Sequence, residues 1–112
     1  MTLFSWDAWN LAHIARHHVT REEVEYVVRN AERPFPREIG DDKYLVWGRT
    51  TDGRPLQVIF VYRTEDEIDL EALDLDVLAQ LTEQKLVAVY VIHAMQLTPK
   101  MLRQFRRLRR RK

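Results

Sequence analysis

The sequence contains no cysteine, and this absence excludes disulfide bonds, a thiolate nucleophile and a zinc site built on cysteine. No apolar run approaches the roughly 18 residues that a membrane-spanning helix needs. The first residues lack the basic and apolar regions of a secretory signal, and internal repeats are absent. We therefore expect a cytoplasmic protein that has no membrane partner.

Hydrophobic residues make up 46% of the 112 residues, which is enough for the core of a single domain spanning residues 1–112. Charge is strongly segregated behind a formal net charge of +1. Residues 65–84 contain eight acidic side chains and no basic one, whereas residues 85–112 contain nine basic side chains and no acidic one. Segregation of this kind says more about binding partners than about the fold.

Apolar spacing and capping residues predict two N-terminal helices and a C-terminal one. The first covers residues 5–17, with Ser5 as its N-cap. The second follows Thr20, whose side chain is expected to form a capping box with Glu23. The third covers residues 98–110, because Thr98-Pro99 is a typical helix start.

Four strands are predicted, near residues 37–39, 43–50, 54–63 and 85–93. Asp52-Gly53 indicates a type I′ hairpin turn between the second and third of these strands. Leucine spacing in residues 65–84 indicates an inserted acidic helix before the last strand. The predicted fold class is α+β, with two N-terminal helices, a mostly antiparallel four-stranded sheet and a basic C-terminal helix.

A titratable residue, His93, ends the last predicted strand, and cations lie at other strand ends and in the last helix. If the sheet brings Arg49, Arg63 and Lys100 near His93, the group suits RNA cleavage by the RNA's own 2′-hydroxyl, with no metal or other cofactor. These four residues are the predicted catalytic set. The alternative is a half-buried histidine bonded to backbone.

A metal site is a second interpretation of the histidines. His13 and His17 are spaced at i, i+4 and His18 follows them, but a helical pair needs a third ligand, such as Asp7 or Glu22. We expect no metal.

The basic tail, residues 106–112, is the strongest electrostatic signal in the chain. Arg103, Arg106, Arg107 and Arg110 are the predicted contacts to nucleic-acid phosphates. The alternative is a solvated helix end, where cations also suit the helix dipole.

The chain resembles the BrnT family of type II toxins, whose fold is similar to that of RelE-type ribonucleases. Three segments carry the resemblance: Phe4-Ser5-Trp6-Asp7 with Asn10 and Arg16-His17-His18-Val19 through Val24; Tyr44 to Arg49 with Asp52 to Val58; and Val91-Ile92-His93-Ala94-Met95 with Leu97-Thr98-Pro99-Lys100 and Phe105. Their order and spacing cover most of the chain.

The resemblance implies a small cytosolic ribonuclease that inhibits translation and binds an antitoxin of the BrnA type, forming a hetero-oligomer with it. The chain diverges from the family at the catalytic motif. Met95 stands where the family has a candidate catalytic arginine, Met101 stands at a common glutamate, and His18 replaces a turn glycine and so needs a left-handed conformation. Either His93 and Lys100 have taken over the chemistry, or the fold is kept without cleavage.

Two functions of different classes follow. The first is a toxin ribonuclease with RNA as its substrate. The second is a non-catalytic module that binds a partner protein or nucleic acid through its basic helix.

Overall fold

The computed structural model describes residues 2–64 and 87–110, which form three helices and one five-stranded sheet. In chain order, the elements are β1 (Phe4–Ser5), α1 (Ala8–Ala15), α2 (Arg21–Arg29), β2 (Arg37–Gly40), β3 (Lys43–Arg49), β4 (Pro55–Thr64), β5 (Val87–Gln96) and α3 (Pro99–Arg110). None of these helices is long and apolar enough to cross a membrane. The predicted acidic helix at 65–84 lies outside the described residues.

The strand order in the sheet is β1-β5-β4-β3-β2. Strands β2 to β5 are antiparallel to their neighbours and are the four predicted strands, which confirms the α+β class. The fifth strand, β1, was not predicted and makes the sheet mixed, because it runs parallel to β5 and pairs Phe4 with Val89. Phe4 is buried there, so core packing holds this short strand at the sheet edge.

The first helix is shorter than predicted, and its N-cap is Asp7 rather than Ser5. The Asp7 carboxylate accepts from the Asn10 backbone N–H at 3.0 Å, and the Asn10 side chain accepts from the Asp7 N–H at 2.8 Å. Ser5 cannot be the cap because it belongs to β1, where its carbonyl accepts from the Asn10 amide at 3.0 Å.

The second helix begins as predicted. Thr20 and Glu23 form the reciprocal capping box, and Val24 and Val27 are buried against the sheet. Helix α2 approaches β3 closely at Gly48, where an added Cβ would lie 3.1 Å from Val27 Cγ1. A methyl group at Gly48 would be tighter than ordinary van der Waals contact, so the Val27 side chain would have to shift by a few tenths of an ångström.

The hairpin between β3 and β4 is confirmed, but its turn is not type I′. Of Asp52 and Gly53, only Gly53 has a positive φ, of 84°. The Gly53 N–H donates to the Thr50 carbonyl at 2.9 Å. This is the pattern of a type I turn followed by a left-handed glycine. The loop is longer than a two-residue type I′ turn, so Asp52 does not need a positive φ.

The last helix starts at Pro99 as predicted, and the Thr98 hydroxyl accepts from the Met101 N–H at 3.2 Å. Its inner face buries Phe105 against the rings of Phe35 and Trp47. The outer face is polar, and α3 packs on the domain through an apolar stripe, to which the ion pair between Arg109 and Glu32 adds a polar contact.

Candidate active site

A bulge in β5 determines which way His93 faces. Ile59 pairs with His93 and Phe60 pairs with Val91, so Ile92 is an extra residue in β5. In a regular strand His93 would share a face with Val91. The bulge shifts the alternation by one residue, so that His93 joins the face of Tyr90, opposite the buried Val91.

Helix α1 and the turn after it bring two more imidazoles to His93. The ring centroid of His93 lies 5.4 Å from that of His17 and 6.2 Å from that of His13, with edge-to-face geometry in both cases. His13 lies in the last turn of α1, and His17 follows the helix end. We call His13, His17 and His93 the imidazole cluster.

The turn that follows α1 positions His17. The His17 N–H donates to Ile14 and the His18 N–H to Ala15 at 3.1 and 3.0 Å, and His18 has a φ of 56°. The left-handed conformation expected at His18 is therefore confirmed.

Arg54 holds this turn against the end of β5. Its guanidinium donates to the carbonyls of His18 and His17 at 2.8 and 3.3 Å, and to the Gln96 side chain at 3.2 Å. It also pairs with Glu23 at 3.3 Å. One side chain thus ties the His17 turn to the strand that carries His93, and nothing in the sequence singles Arg54 out.

The surroundings of His93 favour its neutral form. Its pKa is lowered from the usual range by burial, and further by the nearby charges of His17 and His13. A half-buried imidazole that stays neutral at physiological pH can accept a proton from a substrate.

A row of flat side chains leads from the imidazole cluster to a cation. The His13 ring stacks on Trp9 at 4.9 Å, Trp9 stacks on Tyr90 at 6.4 Å, and the Arg63 guanidinium lies 3.4 Å above the Tyr90 ring. Trp9 is 55% exposed. An exposed indole in a row of aromatic rings that ends in a guanidinium group is typical of surfaces that contact single-stranded nucleic acid.

The other end of Tyr90 is fixed by the cap of α1. The Tyr90 hydroxyl donates to Asp7 Oδ2 at 2.9 Å. Burial, the hydrogen bond and the charge of Asp7 raise the pKa of Tyr90, which stays a neutral donor. Burial raises the pKa of Asp7, but bonds from Asn10 and Tyr90 and the charge of Arg63 bring it below the usual value.

The histidines do not complete a metal site with a further ligand. Across residues 2–64 and 87–110, no group of three or more histidine or acidic side chains is arranged to hold a metal ion. Asp7, one of the two possible third ligands, is engaged as a helix cap and as the Tyr90 acceptor.

The four residues predicted as catalytic do not come together. Arg49 lies opposite Pro55 at the start of β4, and Arg63 lies near the other end of β4, opposite Ala88. The eight-residue step from Pro55 to Arg63 separates the two arginines by about 26 Å along the strand direction. Arg49 instead contacts Phe105 at 5.8 Å and donates to the Gly53 carbonyl at 3.1 Å. Arg63 joins the imidazole cluster only through Tyr90 and Trp9.

The remaining predicted residues lie on α3. Lys100 is exposed in its first turn, and the predicted phosphate contacts are exposed along it: Arg103, Arg106, Arg107 and Arg110. Met95 shares the face of His93, since it pairs with Gln57 two residues from Ile59. Met101 is half-buried and packs against the core.

The sequence pattern alone suggests a functional role for His13 and His17 only as metal ligands, and none for Trp9 and Tyr90. The i, i+4 spacing of Trp9, His13 and His17 was the available signal, because it places all three on one face of a helix. The sequence contains no comparable pattern for the bulge that turns His93 toward them.

Comparison of the chain with models of protein families, with curated proteins and with solved structures finds no match.

Proposed function

We propose that the chain is a ribonuclease of the toxin type, which cleaves RNA at the imidazole cluster without a metal. The proposal is carried by one observation, the convergence of His13 and His17 on His93 at 6.2 and 5.4 Å between ring centroids. Cleavage by the 2′-hydroxyl needs a base and an acid on opposite sides of one phosphate. A pair of imidazoles supplies both roles at physiological pH.

His93 is the proposed general base. Its lowered pKa keeps the imidazole neutral, so that it can take the proton of the 2′-hydroxyl as the 2′ oxygen attacks phosphorus. His17, in its protonated form, gives a proton to the departing 5′ oxygen. The bond from phosphorus to the 5′ oxygen breaks, and the products are a 2′,3′-cyclic phosphate and a 5′-hydroxyl.

Two features support RNA binding next to this chemistry. The Trp9 edge is open to solvent beside His13, where an unpaired base can contact it. Arg63, whose guanidinium lies over the Tyr90 ring, adds positive charge at the other end of the row. Met95 needs no chemical role in this proposal because the imidazoles replace the family's arginine.

The biological setting follows from the resemblance to BrnT toxins. In this proposal the fold is of the RelE type, cleavage inhibits translation in the cytoplasm, and a BrnA-like antitoxin encoded next to the toxin binds the chain as a hetero-oligomer. We expect expression without the partner to arrest growth and co-expression with it to restore growth, and normal growth without the partner would contradict this setting.

The direct test compares His93→Gln with His18→Asn on a defined RNA, in the presence of EDTA. His18 is the matched control because it lies in the same turn, outside the ring contacts, and asparagine tolerates its positive φ. We expect His93→Gln to lower the cleavage rate about 100-fold or more, and His18→Asn to leave it nearly unchanged.

Equal cleavage by His93→Gln and the unsubstituted chain would remove His93 from the mechanism. Absence of cleavage by every form, with RNA still bound, favours the second candidate function.

That second candidate is a non-catalytic binding module, favoured by the exposed arginines along α3. It predicts salt-sensitive binding of RNA or an acidic partner with no product at any protein concentration.

A further inference from the structure

A second cavity lies apart from the imidazole cluster. It has a volume of about 400 Å³ and opens between the end of α2, residues 32–35, the end of β3 and the C-terminal half of α3. This volume is within the range of small-ligand sites, which run from about 300 to 1,000 Å³.

The wall of the cavity is strongly basic. Arg33, Arg49 and Arg109 line it, and Glu32 is the single acidic lining residue among residues 2–64 and 87–110. Glu32 pairs with Arg109 at 2.6 Å. Three guanidinium groups therefore face one carboxylate among the described lining residues, which leaves the cavity wall with a net positive charge. Guanidinium groups are well suited to phosphate because their N–H donors match its oxygens.

The floor of the cavity is aromatic. Phe35, Trp47 and Phe105 contact one another with ring centroids 5.9 to 6.3 Å apart, and all three line the cavity. Tyr26 stands at the rim and is 39% exposed. Flat apolar walls beside guanidinium groups fit a ligand that carries a planar ring and an anion.

We propose that this cavity binds a nucleoside monophosphate unit, with the base against Tyr26 and the aromatic floor and the phosphate between Arg33 and Arg49. Helix α3 connects the two regions of the molecule, since it follows the end of β5 and carries Arg109 into the cavity wall. The site does not depend on cleavage at the imidazole cluster.

The unit has two possible sources, a free nucleotide or a residue of an RNA strand that runs along α3. Titration with a nucleoside monophosphate, with a short unpaired oligonucleotide and with inorganic phosphate separates them. A strand that also contacts α3 binds more tightly than the mononucleotide and loses more affinity with salt.

The three tryptophan indole N–H signals in a nitrogen–proton correlation spectrum report the place of binding. Trp47 lines the cavity, and its indole N–H is held by Gln57 at 3.0 Å. Trp6 and Trp9 lie elsewhere, and Trp9 stacks on the imidazole cluster. We expect the monophosphate to shift the Trp47 signal and to leave those of Trp6 and Trp9 in place.

Two variants and one control test the arginines. Arg33→Ala and Arg49→Ala are each expected to weaken monophosphate binding about tenfold. Arg37→Ala removes a matched, exposed arginine of β2 that does not line the cavity, and it should leave the affinity unchanged.

Several results overturn the proposal. One is no monophosphate binding while the variants remain folded, and another is a shift of Trp9 instead of Trp47. Equal affinity for inorganic phosphate and for the monophosphate would show an anion site that ignores the base, and preferential binding of an acidic aromatic peptide would show a protein-binding site. Loss of RNA cleavage alone leaves the cavity proposal untouched.

Discussion

Arg54 is the residue whose contacts join the two halves of the candidate site. Its guanidinium reaches the His17 and His18 carbonyls, Glu23 and Gln96. In the proposed mechanism Arg54 is a positioning residue, since its guanidinium donates to the His17 carbonyl and thereby fixes the turn that presents the imidazole. Its removal should therefore disturb the chemistry more than RNA binding.

Arg54→Ala is predicted to lower the free energy of unfolding by about 1 kcal/mol, because the exposed carbonyls of His17 and His18 lose a charged donor that water only partly replaces, and the pair with Glu23 is broken. Cleavage kinetics should show a lower kcat with little change in KM. Arg54→Lys keeps the charge but not the forked geometry and should restore stability more than kcat. If each variant changed kcat and KM by similar factors, a positioning role for Arg54 would be contradicted.

The imidazole of His93 makes stability depend on pH. Its pKa in the folded chain lies below the ordinary value of 6.5, so the unfolded chain binds the proton more readily. Folding stability is then full above about pH 6.5 and falls as the pH drops through the folded pKa. Urea unfolding at a series of pH values should show this fall, and His93→Gln should flatten it; an unchanged slope would contradict it.

At the scale of elements, the caps of α2 and α3 were readable from the sequence, whereas the cap of α1 was not, because pairing of Ser5 in β1 leaves Asp7 as the cap. Thr20 with Glu23, and Thr98 with Pro99, begin α2 and α3 as predicted because a cap is a local interaction. The strand β1 was missed because two residues carry no periodicity, and its pairing depends on β5, more than eighty residues away.

The candidate site was predicted in part for the same reason. His93 was found because it follows an apolar run, although β5 continues past the predicted end at residue 93 to Gln96. The direction in which His93 faces depends on the bulge at Ile92, which has no local signature. The grouping with Arg49 failed because strand register, and not sequence distance, determines which strand ends meet.

The contact between α2 and β3 offers a test of element packing. Gly48→Ala would place a methyl group about 3.1 Å from Val27 Cγ1, and we expect a loss of about 1–3 kcal/mol in the free energy of unfolding. In a Val27→Ala background the same change should cost less, because the clash partner is gone. A double-mutant cycle by chemical denaturation measures the coupling, and strict additivity would contradict the contact.

At the scale of the molecule, charge is divided between the two parts of the proposed RNA surface. In the proposed ribonuclease the imidazole cluster supplies the chemistry, and the exposed arginines of α3 supply affinity that carries no sequence information. An antitoxin that covers α3 would block RNA binding without touching the imidazoles.

Replacing Arg103, Arg106, Arg107 and Arg110 with glutamine tests this division. Each phosphate contact contributes about 0.7 to the slope of log affinity against log salt for single strands. We expect the slope to become shallower by up to about 2.8, while cleavage at saturating RNA is retained. Fluorescence anisotropy at increasing salt gives the slope, and an unchanged slope would exclude α3 from the RNA surface.

The central claim is that His93 and His17 act as base and acid on RNA, and single-turnover cleavage of two matched substrates tests it most directly. One RNA has the normal 5′ oxygen at the cleavage site and the other has a 5′ sulfur, which leaves without needing a proton. The His17→Gln variant should cleave the oxygen substrate about 100-fold more slowly than the unsubstituted chain and the sulfur substrate at nearly the same rate. The His93→Gln variant should cleave both substrates slowly. Normal cleavage of the oxygen substrate by either variant, or no cleavage by the unsubstituted chain, would contradict the account.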